Sequence, residues 1–403
     1  MNTPAAGLEC DPTGHEHATA PASSARIPQL DGLRGIAILA VISLHYLYDA
    51  DHGPFRSLLY RFGCIFRLGW AGVDLFFVLS GFLIGGILLD ARKADNYFQT
   101  FYLRRFFRIL PIYYLWLTLF GLATFLIGPS LGGIYPNNPS SAKLLPAYYL
   151  FLQNYLGMPF WSFAWLWLAV AWSLGVEEQF YLVSPPLVRF LSPRRLKTVL
   201  IATLLLAPIL RASLYVLSSS GASAMYVWMP CRADSLAFGV LAALLWRERK
   251  IATWYSAHRM RFYTLLIILA LPIPAFIKWL FSPYSFAMGF LGYSWLAALF
   301  SCLLLLALLE PQGLWSRFLD WRFLREMGRL SYCIYLIHFL ILGLCHSLIL
   351  HRSPSIATAA GAAVTLLAFV ITYGLAALSW RYFEHPLLRR GHLYKYKFAN
   401  SGA

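Results

Sequence analysis

Long apolar runs alternate with short polar connections along almost the whole chain. A helix needs ~20 residues to cross the hydrocarbon core of a bilayer, and most of the runs approach that length. They predict an all-α integral membrane protein, a bundle of about ten transmembrane helices. The predicted spans are 30–49, 69–89, 106–127, 164–188, 198–217, 232–246, 262–281, 290–309, 330–350 and 356–382.

Polar segments delimit this bundle at both ends. Residues 1–27 are rich in small and polar residues, which predicts a disordered cytoplasmic tail. The transmembrane domain covers 28–390, and 391–403 forms a cytoplasmic C-terminal tail. Pro and Gly interrupt the segment 144–161, so we interpret it as an interfacial or re-entrant piece on the outer side.

Lys and Arg are concentrated in alternate connections. By the positive-inside rule, this bias places both termini in the cytoplasm. No connection is long enough for a soluble domain of appreciable size, so any chemistry takes place within the bundle or at its surfaces. The few basic residues of the predicted outer connections are Arg56, Arg61, Arg67, Lys143 and Arg352.

The composition agrees with a membrane protein. Of the 403 residues, 59% are hydrophobic and 12% are charged, whereas soluble domains carry about 25% charged residues. The net charge of +16 could serve nucleic-acid binding, but its spread among the connections indicates membrane topology instead. We therefore expect a lipid bilayer, and no nucleic acid, as a partner.

The six cysteines show neither a CxxC pair nor metal-ligand spacing, so no metal site is predicted. Most of them fall in or beside apolar runs, where Cys packs as a small hydrophobic residue. Cys64 and Cys231 both fall on the outer side of the predicted topology. A disulfide between them is an alternative to two packing thiols.

Two ionisable residues share one side of the first predicted span. Eleven steps of ~100° bring His45 to within about 20° of the direction of Arg34, roughly 16 Å further along the axis. Ionisable groups inside an apolar helix are costly, so they indicate a site. Taken singly, Arg34 is equally well explained as a snorkelling topology anchor, and His45 as an interfacial residue.

The second and third spans add an acid and a basic pair. Asp74 is expected at about the depth of His45, where a carboxylate could orient the imidazole or simply be hydrated at a helix N-terminus. Arg105 and Arg108 share one helix face at the cytoplasmic surface. Two guanidinium groups suit a phosphate ligand, although topology charges explain the same pattern.

Charged residues also fall inside later spans. Glu177 and Glu178 are adjacent and point in different directions on a helix, so we expect one in a polar cavity and the other beside a cation. Arg232 and Asp234 begin the sixth span at the outer surface. They either pair with each other or line the entrance for a polar acceptor.

The ninth span carries a polar stripe. Tyr332, Tyr335 and His338 recur at helical spacing within it. A buried histidine that is hydrogen-bonded to a neighbouring helix is one interpretation of His338. A contact with substrate is the other.

Several of these segments, in this order, resemble the membrane-bound acyltransferase 3 family. They extend from about residue 28 to 390, and their order and spacing make the resemblance specific although each is mostly apolar. The family includes bacterial enzymes that O-acylate surface polysaccharides and other sugars, and the chain resembles its stand-alone form. The segments are LDGLRGIAILAVISLHY, GVDLFFVLSGFLIG, FYLRRFFRILPIYY, WSLGVEEQFYL, RADSLAFGVLAA, LSYCIYLIHF and YFEHPLLR.

The resemblance implies a multi-pass enzyme of the bacterial cytoplasmic (inner) membrane. Such an enzyme transfers an acyl group, taken here as acetyl, from cytoplasmic acyl-coenzyme A to a carbohydrate hydroxyl. The acceptor is a surface polysaccharide or a lipid-linked glycan. The resemblance marks Arg34 and His45 as functional, and Arg105 and Arg108 match a family motif.

The roles follow as a hypothesis. Arg34, Arg105 and Arg108 would hold the phosphates of coenzyme A. His45 would act as general base, assisted by Asp74 or Glu177, and a covalent acyl-histidine intermediate is the alternative left open. The residues assigned to substrate binding are Arg232, Asp234, Glu178 and His338.

Two other functions compete with this hypothesis. A glycan transporter or flippase would also use intramembrane charges as a substrate path. No paired half-repeats with broken helices stand out in the sequence, which argues against it. A noncatalytic membrane subunit that retains the family scaffold is the other, and the completeness of the motifs favours activity over it.

Overall fold

The computed structural model describes residues 27–50, 63, 65–127, 145–155, 168–218, 220–248, 250–279 and 282–399, and within them it is helical, without strands. The predicted tail up to residue 26 and Cys64 lie outside this part of the chain. The proposed disulfide partner, Cys231, is a buried free cysteine.

The described helices are α1 Pro28–Ser43, α2 Gly72–Asp90, α3 Tyr97–Ile127, α4 Leu145–Tyr149, α5 Trp172–Phe190, α6 Pro193–Leu217, α7 Gly221–Val227, α8 Met229–Arg247, α9 Lys250–Ala270, α10 Ile273–Trp279, α11 Tyr293–Leu309, α12 Leu314–Leu319, α13 Arg322–Leu350, α14 Ala359–Ser379 and α15 His385–His392. Single π-helical turns extend some of them. They are Leu44–Tyr48 after α1, Met288–Gly292 before α11 and Trp380–Glu384 after α14.

Nine of the ten predicted spans each overlap one described α-helix, whereas the span 262–281 is divided between α9, which ends at Ala270, and α10. Eight stretches of the described chain are long and apolar enough to cross a membrane, which is the pattern of a multi-pass membrane protein. Helices α3 and α5, which correspond to the third and fourth predicted spans, are not among them, so a count of ten and the orientation of the termini stay predictions. The eight are Pro28–Tyr48, Ile65–Asp90, Pro193–Leu217, Gly221–Arg247, Lys250–Phe276, Met288–Leu309, Arg322–Leu350 and Ala359–His392.

Apolar side chains cover the outside of the bundle as well as its core. On α6, Leu205 and Leu206 are 64% and 61% exposed, and Ile209 is 55% exposed. Water would disfavour a continuous apolar surface of this kind, whereas lipid tails do not. The outer surface of α6 therefore agrees with a bilayer as the solvent.

Several helices begin earlier than the hydropathy pattern predicts. Helix α3 begins at Tyr97 instead of 106, and α9 begins at Lys250 instead of 262. The extra turns are rich in basic and aromatic residues, which lower the hydropathy without opposing helix formation. One consequence is that Arg105 and Arg108 lie on a formed helix, several turns from its start.

Connections that the charge pattern assigns to the same side of the membrane meet in the structure. Arg92 donates to the carbonyl of Leu191, and Lys197 pairs with Glu248 at 2.5 Å. At the opposite side, the Ile356 amide donates to the Ala50 carbonyl at 2.9 Å. These contacts support the predicted alternation of inner and outer connections.

Glycines allow the central helices to approach closely. A Cβ atom at Gly239 of α8 would overlap the carbonyl oxygen of Val78 on α2, and one at Gly81 of α2 would overlap the carbonyl oxygen of Leu236 on α8. Small residues of this kind are typical of tight helix pairs in membranes. The α2–α8 pair is thereby held at backbone contact, and this contact positions the charged residues Asp74 and Arg232 at one end of the pair.

We expect Gly239→Ala to destabilise the protein by about 1–3 kcal/mol, because the added methyl group has to push α8 away from α2. The matched control is Gly374→Ala in α14, where a Cβ would meet nothing within 4 Å. Thermal unfolding in detergent measures both variants. Equal melting temperatures for the two would contradict the packing argument.

Candidate functional site

His45 lies in the π-helical turn that follows α1. The turn closes where the Asp49 amide donates to the carbonyl of Leu44 at 2.8 Å. The carboxylate of Asp49 also lies 2.8 Å from Nδ1 of His45. Since a carboxylate only accepts hydrogen bonds, Nδ1 of the neutral ring carries the proton and Nε2 keeps its lone pair. His45 is therefore oriented as a base by a residue of its own turn.

His338 of α13 lies beside His45, with 5.3 Å between the ring centres. Its Nδ1 is 3.1 and 2.9 Å from the carbonyl oxygens of Ile334 and Tyr335, so Nδ1 donates. Its Nε2 is buried and has no hydrogen-bond partner in the described part of the chain. The side chain thus bonds its own helix rather than a neighbouring one, and it adds a second acceptor nitrogen near His45.

Arg34, Arg105 and Arg108 come together toward the other end of α1. Their charges interact across the gap between α1 and α3. Arg34 also lies 3.6 Å from Asp31. None of the ion pairs between described residues involves Arg105 or Arg108. We call these three residues the arginine cluster; its donor set fits a ligand rich in phosphate.

Two carboxylates of α5 border the arginine cluster. Glu177 accepts hydrogen bonds from the hydroxyls of Ser80 at 2.7 Å and Tyr181 at 3.1 Å, and its charge interacts with that of Arg34. Glu178 interacts with Arg105, and its Oε1 is buried without a hydrogen-bond partner among the described residues. Glu177 therefore belongs to the arginine end of the site and not to the hydrogen bond that orients His45.

Polar groups connect the two ends through the interior of the bundle. The hydroxyl of Tyr335 lies 2.7 Å from that of Ser173, and the Tyr335 ring centre is 5.9 Å from that of His338. The electrostatic interaction of Tyr335 with Glu177 extends this chain toward the arginine cluster. The arginine cluster and His45 thus lie at the ends of one polar path.

Asp74 is part of a different network from His45. Its Oδ1 accepts hydrogen bonds from the guanidinium of Arg232 and, at 3.2 Å, from the hydroxyl of Ser235. The side chains of Asp74 and Arg232 are both 0% exposed. The predicted contact of Asp74 with His45 is not formed, because the first turn of α2 packs against α8, which carries Arg232. The carboxylate on His45 is that of Asp49.

Asp234 pairs with Arg211 of α6. The two Nη atoms of Arg211 donate to the two carboxylate oxygens at 3.0 and 2.9 Å, and both side chains are buried. The alternative in which Arg232 and Asp234 pair with each other is therefore wrong. Residues two positions apart on a helix face different neighbours, here α2 for Arg232 and α6 for Asp234.

Two residues of these networks were missed by the sequence reasoning. Asp49 stands four residues after His45, a spacing at which helical side chains meet. Arg211 is the one charged residue inside the predicted span 198–217. The cost of a lone charge in an apolar helix was the signal that could have identified it.

We expect Arg232→Met to destabilise the protein by about 3–5 kcal/mol, because it leaves the charge of Asp74 buried without a partner. The double variant Asp74→Asn/Arg232→Met should regain part of this loss. Asp49→Asn is the control, because the Asp49 side chain is 44% exposed and should tolerate the change. Unfolding in detergent measures the three variants, and wild-type stability of Arg232→Met would argue against a structural pair.

The chain is similar to two curated bacterial proteins over most of its length. It is 27% identical over 388 residues to the peptidoglycan O-acetyltransferase OatA of Listeria monocytogenes. The aligned region covers 92% of this chain and 57% of the relative. The chain is 24% identical over 380 residues to the O-acetyltransferase OatA of Staphylococcus aureus, covering 91% and 58%. The chain thus spans somewhat more than half the length of these relatives. No solved structure matches it.

The region that contains the site also matches a known family. The model of the acyltransferase 3 family, described as an acyltransferase domain, matches residues 27–375. This range includes the arginine cluster, both α5 carboxylates and the two facing histidines. The match confirms the resemblance drawn from the motifs, and because it extends over most of the 403 residues, the chain belongs to the acyltransferase 3 family.

Proposed function

We propose that the protein is a membrane O-acyltransferase that moves an acyl group, acetyl in the first instance, from cytoplasmic acyl-coenzyme A to a glycan hydroxyl. The observation that carries this proposal is the arrangement along α1. One helix presents Arg34 to the arginine cluster and, toward its other end, presents His45 with its Nδ1 held by Asp49. Membership of the acyltransferase 3 family supports the reaction class.

The arginine cluster is the proposed site for the donor. Acyl-coenzyme A has a phosphate-rich head and a long flexible pantetheine arm that ends in the thioester. The guanidinium groups of Arg105 and Arg108, which form no ion pair with a described carboxylate, suit the phosphates. Arg34, beside Asp31, adds a third guanidinium group. The separation of roughly 16 Å along α1 then corresponds to the reach of the arm from Arg34 to His45.

In the proposed reaction, Nε2 of His45 takes the proton of the acceptor hydroxyl. The hydroxyl oxygen attacks the thioester carbonyl, the C–S bond breaks, and the coenzyme A thiolate leaves and is reprotonated. The free Nε2 of His338 accepts a hydrogen bond from a second hydroxyl of the acceptor. In the covalent variant, Nε2 of His45 attacks first, and the acyl-imidazole then passes its acyl group to the hydroxyl.

The remaining assigned residues have different places in this scheme. Glu178, with an open buried oxygen beside Arg105, is available to a polar substrate. Arg232, Asp234 and Asp74 form buried ion pairs, and we assign them to holding α2, α6 and α8 in place. Among the described residues, Oδ2 of Asp74 and Nε and Nη1 of Arg232 have no hydrogen-bond partner. Glu177 sets the charge balance of the arginine cluster.

The acceptor is proposed to be a glycan of the bacterial cell envelope, met at the outer side of the cytoplasmic membrane. The names of the two relatives, which include a peptidoglycan O-acetyltransferase, support this class. A surface polysaccharide or a lipid-linked glycan belongs to the same chemistry. Both chain termini would then lie in the cytoplasm, on the side of the donor.

The test is acyl transfer by purified protein in nanodiscs, given radiolabelled acetyl-coenzyme A and peptidoglycan fragments or oligosaccharides. We expect alkali-labile label on the glycan. His45→Ala should lower kcat by about 10²–10⁴-fold, since it removes the general base, and Asp49→Asn should lower it less. The control His351→Asn changes an exposed histidine in a left-handed conformation that Asn tolerates.

Translocation of a labelled glycan without any ester formation would favour a flippase instead. A wild-type rate in His45→Ala would remove this histidine from the mechanism while leaving the reaction class intact.

We expect the double variant Arg105→Ala/Arg108→Ala to raise the KM for acetyl-coenzyme A about tenfold or more. A charge-assisted hydrogen bond to phosphate contributes ~1.5–3 kcal/mol, and tenfold in affinity corresponds to about 1.4 kcal/mol. Arg317→Ala is the control, because it removes an exposed charge from another inner connection. An unchanged KM would contradict phosphate binding by these two residues.

A further inference from the structure

The residues after α15 form a strap across the start of α3. We call Leu393–Phe398 the C-terminal strap. The carbonyl of Tyr394 accepts a hydrogen bond from Nε of Arg104 at 2.7 Å. The side-chain amide of Asn96 donates to the carbonyl of Lys395 at 2.9 Å, and its oxygen accepts from the Lys397 amide at 2.8 Å. The strap is therefore anchored by its backbone.

Aromatic contacts hold the strap against the same helix. The ring of Tyr394 stacks on Phe107 with 6.0 Å between centres, and the guanidinium of Arg104 lies 5.0 Å from the ring centre of Tyr396. Gly391, just before the strap, has no side chain, and a Cβ there would come within 3.2 Å of Phe107. The absence of a side chain lets α15 lie close to α3.

The strap borders the arginine cluster. Tyr396 interacts electrostatically with Arg105, and the charge of His392 interacts with those of Arg105 and Arg108. The hydroxyl of Tyr396 is buried, and it has no hydrogen-bond partner among the residues that the structure describes. A buried hydroxyl without a partner beside an arginine is a place for a polar ligand atom.

The strap also carries positive charge of its own. Lys395 and Lys397 are exposed, and neither takes part in an ion pair with a described residue. The backbone bonds to Asn96 place these two lysines at the start of α3, on either side of Tyr396, which interacts with Arg105. The positive-inside rule explains basic residues near the membrane surface. It does not explain why these two lie on a segment that is hydrogen-bonded to the start of α3.

We propose that the C-terminal strap is part of the donor site and binds the phosphate-bearing nucleotide half of acyl-coenzyme A. Lys395 and Lys397 contact phosphates, and the hydroxyl of Tyr396 forms a hydrogen bond with the same half of the molecule. The arginine cluster holds the phosphates nearest the pantetheine arm. This inference rests on the proposed function and extends its donor site by three residues outside the transmembrane helices.

The test compares acetyl-coenzyme A, acetyl-3′-dephospho-coenzyme A and acetylpantetheine as donors. For Lys395→Ala/Lys397→Ala, we expect the KM for acetyl-coenzyme A to rise about five- to tenfold and to depend less steeply on salt. The KM for acetylpantetheine, which lacks the nucleotide half, should stay as in the wild type. Tyr396→Phe keeps the ring over Arg104 and should give a smaller rise of the same kind.

Two further variants separate charge from folding. Lys395→Arg/Lys397→Arg should restore the wild-type KM. Arg317→Ala/Arg322→Ala removes two exposed charges from another inner connection and should leave the KM for all three donors unchanged. Size-exclusion chromatography checks that each variant is monodisperse.

The proposal is overturned if the lysine variant keeps the wild-type KM and salt dependence for acetyl-coenzyme A. It is also overturned if the KM rises equally for acetylpantetheine, because the strap would then act through the fold. If the wild-type protein transfers no acyl group, the proposed function fails. The strap is then judged by calorimetric binding of coenzyme A, where weaker binding to the lysine variant supports it and equal binding rejects it.

Discussion

The cost of burying charge in an apolar bundle governs the arrangement of this protein. Four fully buried charges are neutralised in two ion pairs, Asp74 with Arg232 and Arg211 with Asp234. Each pair joins α8 to a neighbouring helix. Removal of one partner would leave the other charge unpaired in a medium that cannot hydrate it. The guanidinium groups of Arg105 and Arg108 differ from these four groups, because no described carboxylate forms an ion pair with them.

The arginines that form buried ion pairs, Arg211 and Arg232, hold helices together. The arginines without such a pair, Arg105 and Arg108, bind the donor in our proposal. The paired arginines lie where α2, α6 and α8 meet, near the point at which glycines bring α2 and α8 into backbone contact. The unpaired ones lie at the end of the polar path that leads past Tyr335 to the two histidines. In our proposal, the phosphates of the donor are the ion-pair partners of Arg105 and Arg108.

Helix α1 connects both ends of the proposed site. It packs against α13 and α2, and this packing brings His338 beside His45. The tautomers of the two rings follow from their acceptors, a carboxylate for His45 and backbone carbonyls for His338. Both rings therefore keep Nε2 as an acceptor, which suits a base and a partner for hydroxyl groups.

The helical spans and the common face of Arg105 and Arg108 followed from the sequence by itself. Hydropathy and the helical period are local properties, and they do not depend on how the helices pack together. The partners of the charged residues were decided only by the tertiary structure. Three features depend on which helices meet and how each is rotated, and local sequence does not encode this. They are the contact of His45 with Asp49 instead of Asp74, the ion pairs of Arg232 with Asp74 and of Asp234 with Arg211, and the docking of the strap.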